Sequence, residues 1–310
     1  VNNRPLLEDL TLFCAVVRLR SFAATAREQG VSNAYVSKRI AVLEATMQVR
    51  LLHRTTRTVT LTEQGQVVHT WAQRILEDVE QMAEAVSSEK MAPSGLLRLC
   101  TSSGFGRNRL GPALSALAQQ YPALEIQLEL IDRKVDLIAE DIHLDIRVGR
   151  VHEPHLISRR IAPNRRVLCA APSYLERYGE PQTLADLAQH RCIAIRERNE
   201  DFGRWVLEGP NGSETVKVTG PLSASNGEIV HQWALDGHGI ILRSIWDVNA
   251  ALANGTLQRI LPAYMQPADV WAVYPSRLSA SAKVRICVEF VEQWLSPQHD
   301  TMGSGTTVSY

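Results

Sequence analysis

Three sets of polar residues in this 310-residue chain have the types and spacing needed for molecular recognition. The first lies in SNAYVSKRIAVLEATM, where a helical count of 100° per residue puts Ala34, Ser37, Lys38 and Ala41 on one face, flanked by Asn33 and Tyr35. That face is small, polar and basic. On such a surface an amide or hydroxyl meets base edges, and a lysine reaches a phosphate or a guanine. The second set is HRTTRTVTLT, in which Arg54 and Arg57 flank Thr55 and Thr56. Arginines and hydroxyls of this kind are the common partners of backbone phosphates.

The third set is a pair of turns. Thr101, Ser102, Ser103 and Gly104 stand where a strand ends before a helix, and Ser225, Asn226, Gly227 and Glu228 stand in a similar place later. Two facing hydroxyl-and-amide turns suit a small anion, most simply a carboxylate. Phe105 and Gly106 continue the first turn. Asp132, Arg133, Arg147, Arg196 and Arg243 are candidate charged contacts from nearby strand ends. Each of these arginines also has a plain reading, as a surface or lobe-stabilising residue.

The elements that must hold these groups are legible in part. SFAATAREQG reads as a helix with small residues at Ala23 and Ala26 for close packing, ended by Gly30. Ser32 is a good N-cap for the helix that follows, and Val36, Ile40 and Leu43 share its inward face. Thr58 to Leu61 alternates polar with apolar, as a half-buried strand does. Two helices about a tight turn, then a strand pair tipped with arginine, form a unit able to enter a DNA major groove. The alternative is an ordinary solvated helix in a small α-domain. Charge favours DNA: residues 1–65 hold nine Lys and Arg against five Asp and Glu, leaving 24 against 28 for the rest. A neutral chain thus hides a basic head, and affinity follows the local patch.

After Gly65, Val68, Ala72, Ile75, Val79, Met82 and Val86 recur at spacings of four and three. That is a heptad seam in one long helix, and its natural partner is a second copy of the chain. A long helix packed on its own domain remains the other reading. Pro93 and Gly95 then mark a hinge.

Residues 96–295 alternate strands with helices, which points to two α/β lobes with a cleft between them. Strands are expected at Leu96–Cys100, Leu124–Leu130, Leu144–Val148, Arg166–Ala171, Ile193–Arg196, Val216–Val218, Ile240–Leu242 and Asp269–Tyr274. Helices are expected at Arg109–Gln120, Leu137–Glu140, Glu228–Asp236 and Ala280–Leu295. The last strand and helix are free to return to the first lobe.

Support for catalysis is thin. Gly104-Phe105-Gly106 and Gly237-His238-Gly239 extend to no dinucleotide or phosphate-loop fingerprint, and no serine sits in a nucleophile elbow. Cys14, Cys100, Cys169, Cys192 and Cys287 are far apart, mostly in apolar runs, and read as small buried hydrophobes. His152 and His155 flank Pro154 without a defined third ligand, so a surface loop is favoured over a metal site. No cofactor is expected. The start reads as no signal peptide and no apolar run spans a membrane, so a cytoplasmic protein without a membrane partner is expected.

The stretch SFAATAREQGVSNAYVSKRIAVLEATMQVRLLHRTTRTVTLTEQG resembles the N-terminal signature of the LysR-type transcriptional regulators, and the resemblance runs to about residue 295. It implies an α/β fold with a winged helix-turn-helix over 1–62 and a dimerising helix over 63–90. A hinge over 91–95 and a two-lobed effector domain like the periplasmic binding proteins over 96–295 follow, with residues 296–310 expected to be a disordered tail. It further implies double-stranded promoter DNA and a small inducer as partners, and self-association to a dimer and then a dimer-of-dimers tetramer. By position Ser37 and Lys38 resemble the family's recognition-helix contacts and Arg57 its wing arginine. Asn33-Ala34 stand where the family often has Gln-Pro, which puts the preferred bases in question. Ser102 and Ser103 match the first inducer-contacting turn, and Ser225 and Asn226 lie near the second. SSGFGRNRLGPAL, LDIRVG and SNGEIVHQWALDGHGIILRSIWDV are most similar to the branch that regulates tartrate and malate utilisation. That branch implies a hydroxy- or dicarboxylic acid inducer. A constitutive DNA-binding protein, or an enzyme fused to a DNA-binding head, are the competing readings.

Overall fold

Serine hydroxyls set where the two short helices of the head begin. In the computed structural model, which describes residues 4–54, 59–86, 93–196, 202–279 and 281–296, α1 (Leu7–Leu19) comes first. The Ser21 hydroxyl accepts the Ala24 N–H at 3.2 Å and starts α2 (Phe22–Glu28). The Ser32 hydroxyl accepts the Tyr35 N–H at 3.1 Å and starts α3 (Asn33–Met47). Caps of this kind stabilise a helix by about 1 kcal/mol each. Between the helices Gly30 takes φ +66°, a left-handed turn that glycine enters without a Cβ penalty.

Val36, Ile40 and Leu43 are fully buried against Leu10, Phe13 and Val16 of α1 and Ala26 of α2. Ala23, expected in the same packing, is exposed. A half-buried ion pair ties α1 to α3, with Arg39 Nε donating to Asp9 Oδ1 at 2.6 Å. The wing is an antiparallel pair, β1 (Leu52–Arg54) and β2 (Val59–Leu61), in the register Leu52 to Leu61. Glu44 Oε1 accepts the backbone N–H of both Leu51 and Leu52, which anchors the wing to α3.

The long helix α4 (Glu63–Val86) opens on Thr62. Its hydroxyl donates to the Arg50 carbonyl at 2.7 Å and accepts the Gly65 N–H at 2.8 Å. Tertiary contacts divide the chain into Val1–Met91 and Ala92–Tyr310.

In the second unit and among the described residues, the larger sheet has the order β4-β3-β5-β15-β6. Its strands are β3 (Gly95–Thr101), β4 (Leu124–Leu130), β5 (Leu144–Val148), β6 (Leu156–Ala162) and β15 (Val270–Pro275). The strands β3, β4 and β5 run parallel, while β15 returns antiparallel between β5 and β6. Between β3 and β4 the chain forms α5 (Ser103–Phe105), a π-helical turn (Gly106–Leu110) and α6 (Gly111–Gln120). The last helix, α10 (Ala282–Trp294), shares the first lobe's core through Val284, Cys287, Val288 and Val291. The late strand and helix therefore do complete the first lobe.

The second lobe is built on β7 (Arg165–Ala170), flanked by β12 (Ile241–Ser244) and the short β13 (Gln258–Arg259) and β14 (Gln266–Pro267). Around it lie α7 (Pro172–Tyr178), α8 (Gly227–Leu235), α9 (Ile245–Ala253) and two small pairs. The pairs are β8 (Ala194–Ile195) with β11 (Ser223–Ala224), and β9 (Arg204–Gly209) with β10 (Gly212–Lys217). Two crossovers join the lobes side by side: Asn164 Nδ2 donates to the Ala268 carbonyl at 2.8 Å, and the Ala268 N–H returns to Asn164 at 3.0 Å.

The short helix expected at Leu137–Glu140 is instead a run of turns. Asp136 accepts the N–H groups of Ile138 and Ala139, a local alternative that keeps a helix from continuing. Cys100, Cys169, Cys192 and Cys287 are buried and Cys14 is half-buried. Burial pushes the thiols of Cys14, Cys169, Cys192 and Cys287 up to about 12.

Candidate functional site

The DNA-facing candidates lie where the capping of α3 puts them. Asn33, Ala34, Tyr35 and Lys38 are exposed and Ser37 is half-buried, opposite the buried Val36–Ile40–Leu43 stripe. The Tyr35 hydroxyl is already engaged, donating to Glu8 Oε1 of α1, so it helps to hold α3 rather than standing free to read a base. Arg54 ends β1, opposite Val59. Thr56 and Arg57 lie outside the described residues.

The expected dimer seam splits in two. Ala72 is only 1% exposed and joins the head core, with Val68 and Leu76 packed against it. Burial in its own head leaves Ala72 no surface for a second copy, and Val68 is drawn partly the same way. Val67, Trp71, Ile75 and Met82 are exposed. They follow one another at spacings of four, four and seven; Ile75 and Met82 belong to the expected seam, while Val67 and Trp71 stand one residue before its Val68 and Ala72. Arg74 lies over the Trp71 ring, 5.5 Å from its centroid. Val79 is half-buried, and the side chain of Val86 lies outside the described residues.

In the second unit a cleft of about 760 Å³, open mouth included, lies between the lobes. Ser102, Phe105, Asp132 and Arg147 line it from the first lobe, and Ser225, Gly227, Arg243 and Trp246 from the second. The Phe105 and Trp246 rings meet edge to face across it, with centroids 5.3 Å apart.

Four arginines line the cleft among the described residues: Arg147, Arg150, Arg166 and Arg243. Three are almost fully buried. Arg147 Nε donates to Asp145 at 3.1 Å and its Nη1 to Glu153 at 2.8 Å. Burial alone would lower the pKa of Arg147, but Asp145 and Glu153 outweigh it and raise it above its ordinary value. Arg243 Nε donates to Asp247 at 2.8 Å. Burial works to raise the Asp247 pKa, yet the His231 hydrogen bond and the Arg243 charge hold it below its ordinary value. Arg166 Nη1 donates to Gln266 at 2.6 Å. The carboxylates of Asp145, Glu153 and Asp247 stand behind the arginines and do not line the cleft, so the lining is predominantly cationic. Arg166, Arg150 and Ser244 were not singled out in the sequence, and Trp246, expected to pack a core, also lines the cleft.

Other expected contacts fall elsewhere. Thr101 is buried, its hydroxyl donating to the Ile146 carbonyl at 2.6 Å, so it braces β3 against β5. Gly106 is a packing glycine: a Cβ there would come within 2.2 Å of Leu130 Cδ2. Arg133 points out of the cleft and pairs bidentately with Glu140. Arg196 is exposed, with its guanidinium over the Phe202 ring. Glu228 pairs with Arg107 across the lobes.

The two polar turns do face each other, but the carboxylate between them belongs to the protein. Asp132 Oδ1 accepts the Ser103 N–H at 3.0 Å. Its Oδ2 accepts the Ser103 hydroxyl at 2.7 Å and the Asn226 amide at 2.9 Å. Asn226 also caps α8, its Oδ1 accepting the N–H groups of Glu228 and Ile229. Ser103 is therefore occupied as a donor and Asn226 gives one of its two amide N–H groups, so the turns hold a carboxylate of the protein rather than the ligand carboxylate expected there. Among the described residues no group of three or more His, Cys, Asp and Glu is placed to hold a metal ion, and no helix is long and apolar enough to cross a membrane.

Comparison with known proteins joins the two units. Residues 7–66 match the family described as bacterial regulatory helix-turn-helix protein, lysR family, and residues 91–296 match the LysR substrate binding domain. The chain is 53% identical to the HTH-type transcriptional regulator DmlR of Escherichia coli K12 over 299 residues, 96% of this chain and 97% of that one. It is 42% identical to the HTH-type transcriptional activator TtdR of the same strain over 294 residues, 95% of each. Both are named as transcriptional regulators, not enzymes. The full-length structure of the Vibrio cholerae virulence activator AphB is similar at 27% identity and a TM-score of 0.58, covering 94% of this chain and all of that one. With a capped recognition helix and wing in one unit and a two-lobed, arginine-lined cleft in the other, the chain belongs to the LysR family of DNA-binding transcriptional regulators.

Proposed function

We propose that this regulator is switched by a small organic acid with two carboxylates, bound in the cleft between the lobes. The observation that carries the reading is the placement of buried guanidiniums on both walls, Arg147 from the first lobe and Arg166 and Arg243 from the second. Guanidinium groups attract carboxylates, so an acid with a carboxylate at each end bridges the lobes. The likeness to the tartrate and malate branch points to the same chemistry. A thermal-shift screen of the full chain against malates, tartrates, succinate and aromatic acids tests it, because a ligand of the folded state raises the melting temperature. A stereoselective rise with one dicarboxylate is the expected result. No rise with any dicarboxylate would end this reading and favour a body that only assembles the oligomer.

The ligand then acts by binding one arrangement of the oligomer better than another. Footprints of operator DNA that are identical with and without the acid, at every protein concentration, would defeat that mechanism. In the head Asn33, Ser37 and Lys38 face the groove, with Arg54, Thr56 and Arg57 on the phosphates. Lys38 is exposed, so Lys38→Ala leaves the melting temperature within about 1 °C while DNA affinity falls roughly tenfold and the salt slope drops by about one. Fluorescence anisotropy at several salt concentrations reads both.

The stripe Val67, Trp71, Ile75 and Met82 is the face on which two copies pair, before dimers join into a tetramer. Trp71→Asp places a charge at its centre and is expected to weaken self-association at least tenfold, since a buried aromatic anchor contributes about 2 kcal/mol or more. Analytical ultracentrifugation over a concentration series gives the answer.

A further inference from the structure

The Asp132 carboxylate is the one acidic group among the described residues that line the cleft, and four arginines line the same cleft. Its bonding state limits what it accepts next. An ionised carboxylate offers about four acceptor positions, two on each oxygen. On Oδ2 the Ser103 hydroxyl and the Asn226 amide fill two. On Oδ1 the Ser103 N–H takes one. Asp132 remains half-buried and faces the cleft, so one acceptor position on Oδ1 is left to a ligand.

We propose that Asp132 is a specificity-determining residue that accepts a hydrogen bond from a hydroxyl of the ligand. The cleft thereby selects a hydroxylated dicarboxylate over its dehydroxy counterpart. The inference rests on the dicarboxylate reading above. A carboxylate cannot accept a hydrogen bond from another ionised carboxylate, and like charges at this distance repel, so the two acid groups of the ligand are turned towards the guanidiniums. What remains for Asp132 is a donor between them. A hydroxyl supplies one without a charge. An ammonium would supply one too, and aspartate in the titration below separates that case.

The placement of Asp132 also makes the selection rigid. Ser103 holds it from its own lobe through two bonds, and Asn226 holds it from the other lobe while capping α8. The acceptor is therefore positioned before the ligand arrives. Sites that hydrogen-bond a substrate hydroxyl reject the analogue that lacks it far more strongly than apolar pockets reject a missing methylene. Bonds to an ionised acceptor are worth about 1.5–3 kcal/mol, roughly ten- to a hundredfold in affinity.

Isothermal titration of the full chain with the malates, the tartrates, succinate, 2-fluorosuccinate and aspartate tests this. Fluorine is close in size to a hydroxyl but donates nothing. In the unaltered protein the tightest hydroxy acid is expected to bind at least about tenfold better than succinate and 2-fluorosuccinate. In Asp132→Asn that ratio should fall to within about threefold, with succinate still bound. Equal binding of hydroxy acid and 2-fluorosuccinate by the unaltered protein overturns the inference and leaves the dicarboxylate reading standing. So does an equal loss for all acids in the variant, or tighter binding of aspartate. Failure of every dicarboxylate to bind overturns both readings. If Asp132→Asn does not fold, the series on the unaltered protein decides alone.

Discussion

Gly65→Ala is expected to unfold the DNA-binding head while leaving the regulatory unit intact. A Cβ at position 65 would stand 2.0 Å from the Leu51 carbonyl oxygen and 2.9 Å from its carbon, with Leu61 Cδ2 at 3.1 Å. The obstruction is backbone, so no rotamer change relieves it. That same oxygen accepts the Thr62 N–H at 3.0 Å, next to the hydroxyl cap that starts α4. Separating the helix from the wing root therefore breaks the cap and the wing together. Overpacking against fixed atoms costs about 1–3 kcal/mol and more where nothing yields, a sizeable share of the roughly 5–14 kcal/mol available to the unit Val1–Met91. Calorimetry should show the head's transition lowered or lost, operator binding down at least about tenfold, and acid binding unchanged. Operator binding equal to that of the unaltered protein would show that the head opens at no cost between Leu51 and Gly65.

Gly227→Ala is expected to abolish most of the acid response without unfolding the lobe. A Cβ there would lie 2.4 Å from both terminal nitrogens of Arg243, so the guanidinium must leave its place. Arg243 Nε is pinned to Asp247, which limits how far the group can yield. Alanine is a better helix former than glycine by up to about 1 kcal/mol, which offsets part of the cost of moving the guanidinium, so the ligand-free melting temperature should fall only by a few degrees. Affinity for the tightest acid should fall about ten- to a hundredfold, the worth of a charge-assisted contact. Removing Arg243 itself is the less informative change, because it strands the buried Asp247 carboxylate and destabilises the lobe. Unchanged titration of Gly227→Ala would remove Arg243 from the ligand contacts.

The elements most legible in the sequence were those whose burial pattern is local. Ser32 and the Val36, Ile40, Leu43 stripe defined α3, and β4 and β5 were read from Leu124 to Leu130 and Leu144 to Val148. The edge strand β6 was missed because its centre, Ser158 to Arg160, is polar and exposed, as edge strands are when charge guards them against pairing. The short pieces β13 and β14 exist only because β7 offers them a partner. The seam on α4 departs from the exposed stripe only at its start, since Val68 and Ala72 pack inward on a head whose shape no heptad count contains, while Ile75 and Met82 lie on the exposed face.

At the cleft the turns were found but their occupant was not. Ser103 and Asn226 read as ligand donors until Asp132, 29 residues from one and 94 from the other, is seen to fill them. Arg166 stayed invisible for the same reason: its neighbour Gln266 is 100 residues away.

The buried sulfurs give the protein a set of internal clocks. A thiol pushed up to about 12 has almost no thiolate at neutral pH, so an alkylating reagent reacts with it only when the surrounding structure opens. Cys169, Cys192 and Cys287, all buried, then time the opening of the second unit, while the half-buried Cys14 serves as a reference in the head. Cys169 sits opposite Ile241 on the strand that carries Arg243. A bound acid should therefore slow the Cys169 clock most and leave that of Cys14 running at its former rate.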